Sequence, residues 1–199
     1  MKGIESLVEK ALEYKEKGLK EKEIATELSV SMDTVNWLLT RDVKEEKPPV
    51  DVQIGWRSIG VYGGRIGLLA TTISDIIIEE MQKMETDFDT VAGIAINGIP
   101  MATLISEELG KELAIYRPRE RDRRGGGGTL SSNYAGVDGK KVVIVDDVIS
   151  TGETMEGAIT DLEENGAEAV LCVVTVNKDN RDEVVGVPLR GLVRARVIG

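Results

Sequence analysis

The segment Val142-Val-Ile-Val-Asp-Asp-Val-Ile-Ser-Thr-Gly-Glu-Thr154 reads as a buried strand that ends in two carboxylates and turns directly into a helix. A run of β-branched residues without polar alternation fits a strand covered on both faces, which is the habit of parallel sheets. The turn is rich in hydroxyls and glycine. Its backbone N–H groups and the N-terminus of the helix make an anion cradle, with Ser150, Thr151 and Thr154 adding hydroxyl donors. Asp146 and Asp147 cannot hold a phosphate, but they suit sugar hydroxyls one ribose away from it. An NTPase also carries an acidic strand of this kind, yet the phosphate loop G-x-x-x-x-G-K-[ST] occurs nowhere in the chain.

The flanking sequence supports an α/β sheet. β-Branched runs at 91–96, 113–116, 142–145, 170–176 and 192–198 are expected strands, and 71–84, 101–109 and 154–165 are expected helices between them. A second strand–turn–helix unit, Val91-Ala-Gly-Ile-Ala-Ile-Asn-Gly-Ile-Pro-Met-Ala, precedes the first. Between the strands near 115 and 142 lies a long connection carrying Arg117, Arg119, Arg121, Arg123 and Arg124, followed by four glycines. A connection this long without structure of its own marks a lid or an insert. The glycines of 60–67 lack the spacing and acidic partner of a dinucleotide fingerprint, and Cys172 is expected to be a core residue.

The N-terminal part follows a different period. Ile4, Leu7, Val8, Ala11 and Leu12 form the stripe of an amphipathic helix that ends at Gly18, and two shorter helices follow at about 20–28 and 32–40. Residues 21–40 fit the helix-turn-helix pattern: Ile24, Leu28, Val30, Val35 and Leu38 share a small core, Ala25 stands at the helix crossing, and Ser29-Val-Ser31 forms the turn. Ser31 can cap the second helix. The outward set Ser31, Met32, Asn36, Trp37, Thr40 and Arg41 is the expected DNA-reading face, with Asn36 suited to an adenine edge. The alternative is a three-helix cap for packing or dimerisation, because the face is poor in Lys and Arg. Residues 44–50, charged and ending near two prolines, read as a linker between a domain at 1–43 and another at 51–199.

Composition narrows the chemistry. With no His and one Cys in 199 residues, zinc sites and His-dependent nucleophiles are excluded, and the lone Cys fits a reducing cytoplasm. The formal charge of −10 argues against coating nucleic acid by charge alone. No apolar run is long enough to span a membrane.

The 142–154 segment resembles the 5-phosphoribosyl-1-diphosphate (PRPP) signature of type I phosphoribosyltransferases, and 91–110 resembles the pyrophosphate-binding turn of orotate phosphoribosyltransferases. The likeness runs over residues 50–199. It implies a type I phosphoribosyltransferase fold, a mostly parallel sheet flanked by helices, joined here to a small all-α helix-turn-helix domain. It also implies PRPP or effector binding by Asp146, Asp147, Ser150, Thr151, Gly152, Glu153, Thr154, Asn97, Gly98, Ile99 and Arg117. Mg²⁺ would accompany PRPP, and a homodimer is expected.

The departures are in the loop. Residues 117–128 contain no Lys and no His, where orotate enzymes carry both. Ribose transfer needs positive groups against the departing diphosphate, and arginine can clamp phosphate but cannot donate a proton near neutral pH. Glu153 replaces a small residue, while Arg57 and Ser58 of the base-binding region remain; Arg57 suits either an anionic ligand or a pairing within the fold. The whole resembles the archaeal orotate-phosphoribosyltransferase-like transcriptional regulators, a family associated with central sugar catabolism. That resemblance implies a cytoplasmic regulator that binds promoter DNA and senses a phosphorylated effector, with no assigned catalytic residue. The alternative is a working transferase that joins orotate to PRPP.

Overall fold

The computed structural model describes residues 2–40, 49–118 and 128–196. The chain divides into two compact units at Ser58. The first contains α1 (Lys2–Glu16), α2 (Glu21–Leu28) and α3 (Met32–Thr40). Ala11, Ile24, Ala25, Leu28, Val30, Val35 and Leu38 close on one another as its core. The expected α1 stripe is narrower than its period implied. Ala11 is buried and Leu7 and Val8 pack at the margin, whereas Ile4 and Leu12 are 37% and 45% exposed. A core supplied by two short helices covers only one turn-width of α1. Ser29 takes a left-handed φ of 52°, and its N–H and that of Val30 close α2 on Thr26 O and Ala25 O. Residues 51–54, expected to open the second domain, bond instead to the α2–α3 turn. Residues 41–48, with Arg41 and most of the expected linker, lie outside the described residues.

The short α4 (Arg57–Gly60) follows in the chain, and then comes the α/β unit. In order its elements are α5 (Gly63–Lys83), β1 (Thr90–Ile94), α6 (Gly98–Leu109), β2 (Glu112–Arg117), β3 (Thr129–Leu130), β4 (Lys141–Ile149), α7 (Glu153–Glu164), β5 (Glu168–Asn177), β6 (Glu183–Val184) and β7 (Val187–Arg194). The strands join in the order β3-β2-β1-β4-β5-β7-β6. The five central strands are parallel, and the two-residue edge strands are antiparallel to their neighbours. On one face Ile144, Val142 and Cys172 meet Met155, Ala158, Ile159 and Leu162 of α7. The alternate residues Val143, Val145 and Val173 are equally buried on the other face, where α6 lies along β1 and β4, and α5 along β5 and β7. Burial pushes the Cys172 thiol up to about 12, as befits a core residue.

Four elements depart from the sequence expectation. α5 starts at Gly63 rather than at residue 71, because three glycines in its opening turns disguise it as a loop. The last strand is Val187–Arg194, not 192–198: pairing of Leu189 with Cys172 and Val193 with Val176 sets its register earlier, despite Pro188. Residues 197–199 lie outside the described set. β3 and β6 are too short to show any period. Among the described residues no helix is long and apolar enough to cross a membrane.

β1 is the strand where the winding reverses. From it the chain passes through α6 to β2 on one side, and β4 lies on the other. In open α/β sheets, ligands bind outside the strand ends at such a reversal.

Candidate functional site

The two strand–turn–helix units face this crevice. β1 and β4 are paired directly, the last pair being Gly93 with Val145, so the turn after β1 lies against the second half of β4. That strand runs on through Asp146 and Asp147 to Ile149 instead of ending at residue 145 as expected. After β1 the Ala95–Ile96 peptide is cis, and Ile96 is 71% exposed at the turn's crest. Gly98 follows, where a Cβ would stand 2.4 Å from the Val145 carbonyl oxygen and 3.2 Å from Asp146 Cα. Only glycine lets this turn lie against β4 at Val145 and Asp146. Asn97 then donates from Nδ2 to Asp147 Oδ2 at 2.9 Å and ties the turn to β4. Gly98 opens α6, and Ile99 follows in its first turn.

The acidic pair in the second half of β4 is held from within. Asp146 Oδ1 accepts the Asp147 N–H at 2.9 Å, and Asp147 Oδ1 accepts that of Val148 at 2.8 Å. Burial, and after it the neighbouring Asp147 charge, push the Asp146 carboxyl well above its ordinary value. Burial raises Asp147 as well, against the pull of its hydrogen bonds from Val148 and Asn97. A pair in this condition gains from any hydroxyl donor or cation brought to it. Among the described residues no group of three or more acidic, His or Cys side chains could hold a metal ion alone. Two carboxylates would suffice for a Mg²⁺ that brought phosphate oxygens and water of its own, since Mg²⁺ keeps such ligands readily.

Beyond the pair, the turn exposes Thr151 and Glu153 and half-exposes Ser150 and Thr154. Gly152 initiates α7 at φ 86°, and no side chain caps that helix there. The open amides are the donors an anion would use. Arg117 stands exposed at the carboxyl end of β2, beside β1. Arg57 and Ser58 are exposed in α4. Arg119, Arg121, Arg123 and Arg124 lie outside the described residues, as does the expected loop from 119 to 127.

Two further features carried no motif. Arg181, after β5, donates from Nη2 to Thr151 O at 2.6 Å, from Nη1 to Glu156 Oε1 at 2.7 Å and from Nε to Asp179 Oδ2 at 2.7 Å. It clasps the turn before α7 by its carbonyl side. Asp161, buried on α7, accepts Tyr116 Oη at 2.6 Å and the Gly128 N–H, fixing the far end of the arginine-rich connection. The polar run Asn177-Lys-Asp-Asn-Arg181 was the only sequence signal for the first of these.

In the helical unit the expected DNA-reading residues divide. Asn36 and Thr40 are exposed on α3, and Thr40 Oγ1 donates to Asn36 O at 2.6 Å. Met32 and Trp37 are half-buried against the three-helix core. Ser31 serves the helix cap: its Oγ accepts the Thr34 N–H at 3.2 Å, and its own N–H donates to Asp51 Oδ2 at 2.6 Å. Asp33, exposed on the same helix, adds negative charge.

Residues 65–185 match the family model of the phosphoribosyl transferase domain. Over its whole length the chain is 51% identical to the transcriptional regulator GfcR of Thermoplasma acidophilum, covering 99% of that protein. It is 48% identical to the transcriptional regulator GfcR of Picrophilus torridus, with 100% of both chains covered. Among solved structures, orotate phosphoribosyltransferase from Aeropyrum pernix superposes with a TM-score of 0.55 at 21% identity, over 76% of this chain and 83% of that one. That likeness confirms the type I phosphoribosyltransferase fold. The matched domain and the full-length relatives agree that the chain belongs to the phosphoribosyltransferase-domain family that includes the GfcR transcriptional regulators.

Proposed function

We propose that the chain is a DNA-binding transcriptional regulator whose phosphoribosyltransferase-like unit senses a phosphorylated sugar, PRPP or a sugar phosphate of central metabolism. The observation that carries the ligand half is the Asn97–Asp147 hydrogen bond, which ties the turn after β1 to the acidic pair of β4 across the sheet's reversal point. The open N-terminus of α7 and the hydroxyls of Ser150, Thr151 and Thr154 take the phosphate, with Gly152 and Glu153 shaping that turn. Asp146 and Asp147 take ribose hydroxyls, with Mg²⁺ bound through PRPP. Asn97, Gly98 and Ile99 present the second turn to a diphosphate, and Arg117 adds positive charge at the rim. Support for the DNA half is the match to named regulators across the three-helix unit as well as the sheet. Asn36 and Thr40 read the duplex from α3, with Met32, Trp37 and Arg41 beside them. The working form is a cytoplasmic homodimer that offers two such helices to a promoter.

A transferase reading rests on the completeness of the 142–154 signature, which both functions need. One experiment separates them: PRPP binding followed by calorimetry with Mg²⁺, beside a steady-state assay with orotate on the same preparation. Binding without turnover is the expected result. Turnover in the ordinary enzyme range of ~1–10³ s⁻¹ overturns the regulator reading, and absence of binding removes PRPP as the effector.

A further inference from the structure

The two helices of the helix-turn-helix are capped by different means. α2 closes its own N-terminus: the Lys20 N–H donates to Glu23 Oε2 at 2.8 Å, with the acid three residues on. α3 has Thr34 in that place. Ser31 Oγ accepts the Thr34 N–H, so half of the reciprocal cap exists, but the other half needs a carboxylate that α3 does not contain at that position. Asp51 supplies it from beyond the helix. Its Oδ2 accepts the Ser31 N–H at 2.6 Å and Thr34 Oγ1 at 2.9 Å, and its Oδ1 accepts its neighbour Val52 N–H at 2.7 Å. The next residues hold the other side of the turn, Gln53 Nε2 on Leu28 O and the Ile54 N–H on Ser29 O, both at 3.4 Å.

We propose that Asp51 is the positioning residue of α3, and that the connector completes the cap in trans so that its displacement loosens the reading helix. The regulatory part rests on the proposed function above. α3 has nine residues, too few for a helix that stands by itself in water, so its first turn depends on whatever closes it. A cap drawn from α3 itself would make the helix indifferent to the chain that leaves it. Drawn from the connector, the cap makes its first turn answer to whatever moves residues 51–54.

The test compares wild type, Asp51→Ala and the double variant Asp51→Ala with Thr34→Glu, which installs the missing acid within α3. Amide exchange at Ser31 and Thr34, read by NMR on the full chain, reports the cap. Affinity for a duplex enriched by the wild-type chain from a random-sequence pool reports the reading helix, with and without PRPP and Mg²⁺. Loss of a charge-assisted bond predicts exchange ~10-fold faster and DNA binding ~10-fold weaker in Asp51→Ala. The double variant regains both, yet its DNA affinity no longer responds to PRPP. Unchanged Ser31 exchange in Asp51→Ala overturns the cap. A double variant that still responds to PRPP overturns the coupling. If the wild-type chain enriches no duplex, the DNA reading falls with the coupling, and the exchange data still decide the cap.

Discussion

The turn that opens α7 and the turn that opens α3 are both helix N-termini, and they are finished in opposite ways. At α7 a left-handed glycine begins the helix without a capping side chain, and Arg181 grips the turn only by a carbonyl. At α3, Ser31 and Asp51 close the start with three hydrogen bonds. Orphan amides at a helix start must find partners. Where side chains supply them, the helix is fixed in place; where none does, the site stays ready for an anion. The same kind of helix start is thus a fastening in one unit and, in the proposed function, an anion receptor in the other.

The strongest way to break the receptor side is to remove the close approach that builds it. Gly98→Ala drives a Cβ into the Val145 carbonyl, a backbone atom that cannot swing aside. Overpacking of this kind is expected to destabilise the chain by about 2–3 kcal/mol and to abolish PRPP binding, measured by urea unfolding and calorimetry. Full stability with normal binding would show that the turn after β1 need not touch β4.

The acidic pair sharpens the comparison because stability and function should move in opposite directions. A carboxyl whose folded-state value is raised keeps its proton where the unfolded chain has released it, so stability falls as pH climbs through that interval. Asp146→Asn removes the slope. Its melting temperature should exceed that of wild type at pH 7, and the gap should close as pH falls toward about 4, where both states hold the proton. With Asp147→Asn added, PRPP affinity should fall by about tenfold or more while the fold persists. A double variant that melts lower at neutral pH, or binds PRPP unchanged, contradicts the assignment.

These contrasts also show what the sequence makes legible. The 142–154 turn is readable because its parts are consecutive: strand, carboxylates, hydroxyls and helix start follow one another, and local bonds such as Asp147 N–H to Asp146 Oδ1 need no distant partner. The core of the three N-terminal helices was equally plain, since Ile24, Leu28, Val35 and Leu38 recur at helical spacing. The closing residues were hidden because they come from far along the chain. Asp51 reaches Ser31 across 20 positions and Arg181 reaches Thr151 across 30, and neither distance leaves a period or motif. The start of α5 was hidden for another reason: glycine's poor helix propensity speaks against an element that packing imposes.

On the fastening side, Asn36→Ala should weaken binding to the selected duplex by about 1–3 kcal/mol, the range for a base-edge contact, while PRPP affinity stays as in wild type. Equal losses in both assays would mean damage to the fold rather than to the reading face. Arg41→Ala should produce a smaller loss with a shallower salt dependence, the mark of a phosphate contact.

The smallest expected effect falls on Arg181, and it tests whether the receptor turn is truly held from outside only. Its guanidinium is 39% exposed, as is much of Glu156, so solvent screens the ion pairs and their loss in Arg181→Gln should cost no more than about 1 kcal/mol of stability. The bond to Thr151 O is the part that matters for binding, because it orients the peptide preceding Gly152 and with it the amides that face an anion. Arg181→Gln should therefore weaken PRPP binding by only a few-fold, and Arg181→Lys, which keeps the charge but loses the fork, should do the same. A loss of a hundredfold or more in Gln that Lys largely restores would show that the charge itself meets the ligand. Arg181 would then be part of the receptor rather than its clasp, and the division between closed and open helix starts would need that cation on the ligand's side.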